Sequence, residues 1–175
     1  MSEPDLDIRT VDLADAGELL TLRRAAFVSE AQIYGDPSIP PLTQTFDELR
    51  EDLVAEGVIT LGAWRGHRLV GSIRVLIEES KATLGRLAVA PDLQGQGIGT
   101  RLLLAILPLL PEDISEVWVF TGRDSVQNLA LYEKHGYTHQ HDKTAGDLTF
   151  AYLRKILGGD TDPDGADRHV AAAER

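Results

Sequence analysis

The apolar positions of this 175-residue chain change period several times, and each change marks an element. "LDIRTVDL", residues 6–13, alternates as a short opening strand. Asp12 or Asp15 then stands where a helix cap belongs, and Leu19, Leu22, Ala26 and Phe27 recur behind it at helical spacing. "AQIYGDPSIPPLTQT" carries Gly35 and three prolines and reads as a loop. A second helix, "FDELREDLVAEG", starts near Thr45 or Asp47 and closes at Gly57. "VITLGAW", the turn "RGHR" and "LVGSIRVLI" make a β-hairpin, and "ATLGRLAVA" adds a strand. "IGTRLLLAILPLL" is apolar on every side, which predicts a buried helix ended by Pro108 and Pro111. "EVWVF" is a strand of buried type, "SVQNLALYEKH" a helix stopped by Gly136, and "DLTFAYLRKI" a closing strand. The predicted order is β-α-α-β-β-β-α-β-α-β, an α/β domain with a mixed, central twisted sheet flanked by helices.

Composition narrows the class. No apolar stretch reaches the roughly 18–20 residues of a membrane span, and the acidic N-terminus lacks the apolar core of a secretory signal. Without cysteine there is no disulfide, thiolate zinc site or cysteine nucleophile, which fits the cytoplasm. The net charge of -11 argues against a nucleic-acid partner, which wants a basic face. It favours a cationic or neutral partner more weakly, and the better reading is that excess acid keeps the protein soluble. "GGDTDPDGADRHVAAAER" has almost nothing to bury. Residues 1–157 are therefore expected to form one domain, and 158–175 a disordered acidic tail.

The candidate chemistry starts at "VAPDLQGQGIGTRLL", residues 89–103. A strand that ends in a glycine-rich turn at a helix start exposes unpaired N–H groups beside a positive dipole end, as phosphate sites do. A P-loop needs Gly-Lys-Ser/Thr, and here Gly99 precedes Thr100 and Arg101. The dinucleotide fingerprint needs a third glycine at 100, which is threonine, and an acid after the next strand, which ends in Phe120 and Thr121. Both readings fail.

"LGRLAVAPDLQGQGIGTRLL" resembles the acyl-CoA-binding motif of the GNAT N-acetyltransferases, with Gln94, Gly97 and Gly99 in the Gln/Arg-x-x-Gly-x-Gly/Ala pattern and Pro91 behind Val89. "NLALYEKHGY", 128–137, resembles the second signature of that superfamily. The resemblance implies that the backbone N–H groups of Gln94, Gly95, Gln96, Gly97, Ile98, Gly99 and Thr100 cradle the CoA pyrophosphate, with the Thr100 hydroxyl adding one bond. It implies that the main chain of Leu87, Ala88 and Val89 carries the pantetheine arm, and that the Leu87 amide polarises the thioester carbonyl. Tyr132 aligns with the general acid that protonates the leaving thiolate, and the motif around it favours this over an aromatic that only packs on a helix. The commoner pattern has asparagine at the position of Ser125, whereas this chain has Asn128, one helical turn before Tyr132. Asn128 is either a CoA contact or a solvated amide.

The implied reaction is direct transfer of an acetyl group from acetyl-CoA to a primary amine of a small molecule or a protein, without metal. Its general base has no assignment: the positions that carry it in relatives are Thr83 and Phe120 here, and Glu78 and Glu79 read better as a solvated turn. Phe27 and Tyr34 are candidate acceptor contacts. His139 and His141 read as an exposed strand edge rather than metal ligands, His67 as solvated, and Trp64 and Trp118 as core. Dimers are frequent among such proteins, so a homodimer is compatible. The unfilled base positions keep a second class open, a catalytically silent acyl-CoA-binding module.

Overall fold

A computed structural model describes residues 5–158 of the chain. Except for Gly158, the expected tail lies outside the described residues. Strand β1 (Leu6–Thr10) leads into a turn that Asp12 caps through a reciprocal bond pair with Asp15. Helix α1 (Ala16–Ala26) follows, burying Ala16, Leu19 and Leu22. The segment expected to be a loop is partly helical: α2 spans Val28–Tyr34, and α3 (Pro40–Thr43) is one turn. Proline at the first helical position costs no hydrogen bond and presets φ, so the proline pair starts a turn rather than preventing one. Gly35, at φ +62°, stops α2.

Helix α4 (Phe46–Leu53) begins at a Thr45–Glu48 capping box and ends before Gly57, which serves the next strand instead. The meander β2 (Val58–Arg65), β3 (Arg68–Glu78) and β4 (Lys81–Val89) follows. Helix α5 (Ile98–Ile106) buries Ile98, Leu102, Leu103 and Ile106 but leaves Arg101 and Leu104 in solvent, so it is amphipathic rather than apolar all round. It ends before Pro108, in a short turn. Next come β5 (Glu116–Gly122), α6 (Val126–Lys134) and a hairpin of β6 (Thr138–Ala145) with β7 (Leu148–Ile156). Strand β6 was not in the predicted order; every residue in it is exposed, so it carries no apolar period.

The seven strands form one sheet in the order β1-β2-β3-β4-β5-β7-β6. All neighbours are antiparallel except β4 and β5, which run parallel over Lys81↔Glu116 to Leu84↔Val119 and then part. Helices α1 and α4 cover one face over the first strands, and α5 packs on the other. A Cβ at Gly71 would meet Ile98 and Leu102 at 2.8 and 2.9 Å, so this glycine lets α5 lie close on β3. Phe120, on β5, is exposed. Trp118, expected in the core, is half-buried under Lys81 and Arg154, with the His141 ring 6.0 Å away. Trp64 is buried as expected.

Candidate functional site

The site lies where β4 and β5 separate. In β4 two residues, Arg86 and Leu87, stand opposite one in β3, because the register passes from Ser72↔Ala88 to Arg74↔Gly85. This bulge puts Arg86 at φ +53° and releases Leu87 from the ladder. Beyond Leu84 the other edge of β4 also has no partner on β5.

After β4 the glycine loop reverses the chain into α5. Gly95 and Gly97 sit at φ +77° and +80°, and a Cβ on either would meet nothing within 4 Å. The left-handed turn, not crowding, therefore demands glycine here. Gly97 is the N-cap of α5, so the first-turn N–H groups face a cavity with no intrahelical acceptor. That cavity is about 710 Å³ and is lined by Leu87, Ala88, Val89, Gln94, Gly95, Gly97, Ile98, Gly99, Thr100 and Asn128 among others. Gln96 stands apart: its Oε1 accepts a bond from Arg65 Nη1 at 2.9 Å, toward the β2–β3 hairpin. No lysine or arginine is among the lining residues, so any attraction for an anion comes from backbone N–H groups and the helix dipole.

A second cavity of about 420 Å³ opens on the α1 and α4 face. The two cavities share Phe27, Glu30, Leu87 and Asn128 as a common waist. Asn128 is held there by a bond of 3.3 Å from its Nδ2 to Thr121 Oγ1. Tyr132, on α6, lines the second cavity from the core side. Burial, and then Glu30 and Tyr137, push its phenol well above the ordinary value, so it stays protonated at neutral pH. Tyr34 spans the cleft from α2: its hydroxyl accepts from the Asp124 N–H at 3.3 Å and its ring lies over Gly122. Phe27 and Tyr34 both line the second cavity, as do Thr83 and Phe120. Phe120 stacks on Tyr152 at 5.4 Å, as part of an aromatic wall.

Sequence reasoning missed the charged groups here. Glu30 was hidden in the presumed loop approach, yet its carboxyl sits at the waist, where burial raises its pKa and Arg86 partly offsets the rise. Arg23 is 1% exposed. Its position four after Leu19 and one after Leu22 places it on the buried stripe of α1, a signal the sequence did contain. Arg74 pairs with Asp52 through two bonds of 2.6 and 2.7 Å.

The remaining candidates lie elsewhere. Glu78 and Glu79 are exposed in the β3–β4 turn, and His67 is exposed in the hairpin turn. His139 bonds Asp142 at 2.7 Å, while a bulge between His139 and His141 turns the latter onto Tyr152. Among the described residues no group of three or more histidine or acidic side chains is placed to hold a metal, and no helix is long and apolar enough to cross a membrane.

Comparison with known proteins adds an independent line. The profile of the acetyltransferase (GNAT) family matches residues 23–137. The UPF0157 protein YqkA of Bacillus subtilis (strain 168) is 29% identical over 122 residues, which are 70% of this chain and 34% of that protein, so this chain spans about a third of its length. The PaiA N-acetyltransferase of Thermoplasma acidophilum, solved in complex with coenzyme A, superimposes with a TM-score of 0.74 at 22% identity. That match covers 87% of this chain and 99% of the other. The ribosomal-protein-S18-alanine N-acetyltransferase of Escherichia coli gives 0.73 at 16% identity, covering 90% and 97%. At such identities the likeness is one of fold.

Proposed function

The chain belongs to the acetyltransferase (GNAT) family, and from that premise we propose that its 1–157 domain transfers an acetyl group from acetyl-CoA directly to an amine held in the second cavity. The observation that carries this is the joining of two unlike cavities at one waist: a backbone-lined anion cradle and an aromatic-walled pocket. The cradle fits a pyrophosphate, since Gly95 and Gly97 leave open space above unpaired N–H groups. Along the β5-facing edge of β4, unpaired beyond Leu84, the main chain of Leu87, Ala88 and Val89 can take an extended amide-bearing arm as an added strand.

Bound acetyl-CoA supplies an activated acyl carbon, and transfer makes an N–C bond as the C–S bond breaks. The Glu30 carboxylate accepts the proton that the attacking amine must lose. Its burial suits a base, because a raised pKa brings it nearer the operating pH. Tyr132, kept protonated by burial, gives its proton to the departing sulfur. The Leu87 N–H polarises the thioester carbonyl, and donors of this kind are worth about 2.7–4 kcal/mol in the barrier.

The test is calorimetric titration of the wild type and of Gly97→Glu with acetyl-CoA and CoA, followed by an amine screen with thiol-release detection. Saturable binding that the variant loses, together with thiol release, supports the reading. Binding without transfer to any amine would favour the silent acyl-CoA-binding module instead. No binding by folded wild type would remove the cofactor assignment.

A further inference from the structure

The charges of the second cavity do not all pair with one another. Four charged side chains line it: Glu30, Asp52, Arg74 and Arg86. Asp52 is consumed by its two-bond pair with Arg74, so those charges cancel. Arg86 makes no hydrogen bond or ion pair among the described residues, and it occupies a left-handed backbone position that arginine rarely adopts. Arg23, near enough to feel the Arg86 charge, has Nε, Nη1 and Nη2 all buried and all without a partner among the described residues. Burial and the Arg86 charge lower the Arg23 pKa to about 10, which still leaves it cationic at neutral pH. At the cavity wall the Arg86 guanidinium and the Glu30 carboxylate are thus the charges left without an ion-pair partner among the described residues.

The buried, unpaired Arg23 charge adds to the cost of leaving Arg86 without a partner anion. Glu30 and Arg86 line the same cavity, and no ion pair joins them among the described residues. A molecule that carries an anion at one end and an amine at the other pairs with both. The planar donor fork of arginine matches a carboxylate. Ile39, Leu76, Phe120 and Phe150 give the pocket an apolar stretch of wall, beside the polar Gln44, Thr83 and Thr121.

We propose that the acceptor is a free amino acid, its carboxylate docked on Arg86 and its amine presented at Glu30. This rests on the acetyltransferase reading of the same site. The apolar wall selects among amino acids for an aliphatic or aromatic side chain, and the Arg86 position excludes simple amines by leaving its charge unanswered.

The experiment compares the apolar L-amino acids, alanine through phenylalanine, each with its decarboxylated amine. Both calorimetric binding and acetyl transfer are measured, on the wild type, Arg86→Asn and Arg86→Lys. Asparagine tolerates the left-handed backbone and removes the charge, while lysine restores charge without the fork. At least one amino acid is expected to surpass its amine by about 10-fold or more in affinity or kcat/KM. Arg86→Asn should collapse that preference toward unity, and Arg86→Lys should recover part of it. The proposal is overturned if amines match their amino acids throughout, if no amino acid binds, or if the preference survives in Arg86→Asn. A variant that fails to fold leaves the wild-type pairs to decide. Titration with acetyl-CoA alone reports on the cradle separately, so failure there is told apart from failure here.

Discussion

Gly122 and Tyr34 offer a test of how the cleft is closed. A Cβ built on Gly122 would fall inside the Tyr34 phenol, overlapping its hydroxyl oxygen and Cζ, with Cε2 at 2.6 Å. The neighbour is a half-buried ring on another element, so Gly122→Ala must expel it or bend the end of β5. Overpacking of this kind costs about 1–3 kcal/mol. Displacing the hydroxyl also breaks its bond with the Asp124 N–H, worth about 0.5–1.5 kcal/mol. Together they predict a loss of about 2–4 kcal/mol for Gly122→Ala. In a Tyr34→Ala background the obstacle is gone, and the same substitution should be nearly neutral. Urea unfolding of the four proteins in this double-mutant cycle gives the coupling directly. If Gly122→Ala costs the same in both backgrounds, within about 0.5 kcal/mol, the ring does not press on the glycine and the reasoning fails.

Glu30→Gln should lower acetyl transfer by about 10²–10⁴-fold and remove the limb over which the rate rises with pH, since only the carboxylate accepts a proton. A carboxyl whose folded pKa lies above its ordinary 4.5 loses stability as pH rises through that window. The variant should therefore be at least as stable as the wild type at pH 7, with the advantage shrinking toward pH 4; thermal melts across pH check it. Gly97→Ala should cost about 1–2 kcal/mol from its left-handed backbone alone. Gly99→Ala, whose methyl would make an ordinary 3.8 Å contact with Leu131, should be neutral or stabilising by up to about 1 kcal/mol; denaturant melts separate the two. Thr45→Ala, which removes the α4 capping box, should cost about 0.5–2 kcal/mol in the same assay.

Where burial followed a period, the elements were legible. The meander β2–β4, the glycine loop and helix α6 lie where the residues predicted them. Strand β6 was not, because its side chains all face water and its place comes from hydrogen bonds to β7 alone. The first turn of α2 and the prolines of α3 show another limit: turn-forming residues mark where a helix starts or stops, not whether one exists. Trp118 is apolar in composition but sits half-buried under two cations, a matter of tertiary coverage. The glycine turn before α5 could be read because its geometry is local in sequence. Glu30, Arg23 and Arg86 could not be grouped, since three separate elements bring them together.

The parting of β4 and β5 also bears on how the protein comes undone. Their parallel seam joins two halves of the sheet through four residue pairs, against seven between β3 and β4 and seven between β5 and β7. Such a seam is a natural boundary between cooperative unfolding units, so amides of β5–β7 are expected to exchange with solvent independently of those in β1–β4. An extended ligand lying in the gap would act as the missing rung. Its binding would merge two exchange domains into one, a signature that amide hydrogen exchange can record without any chemistry taking place.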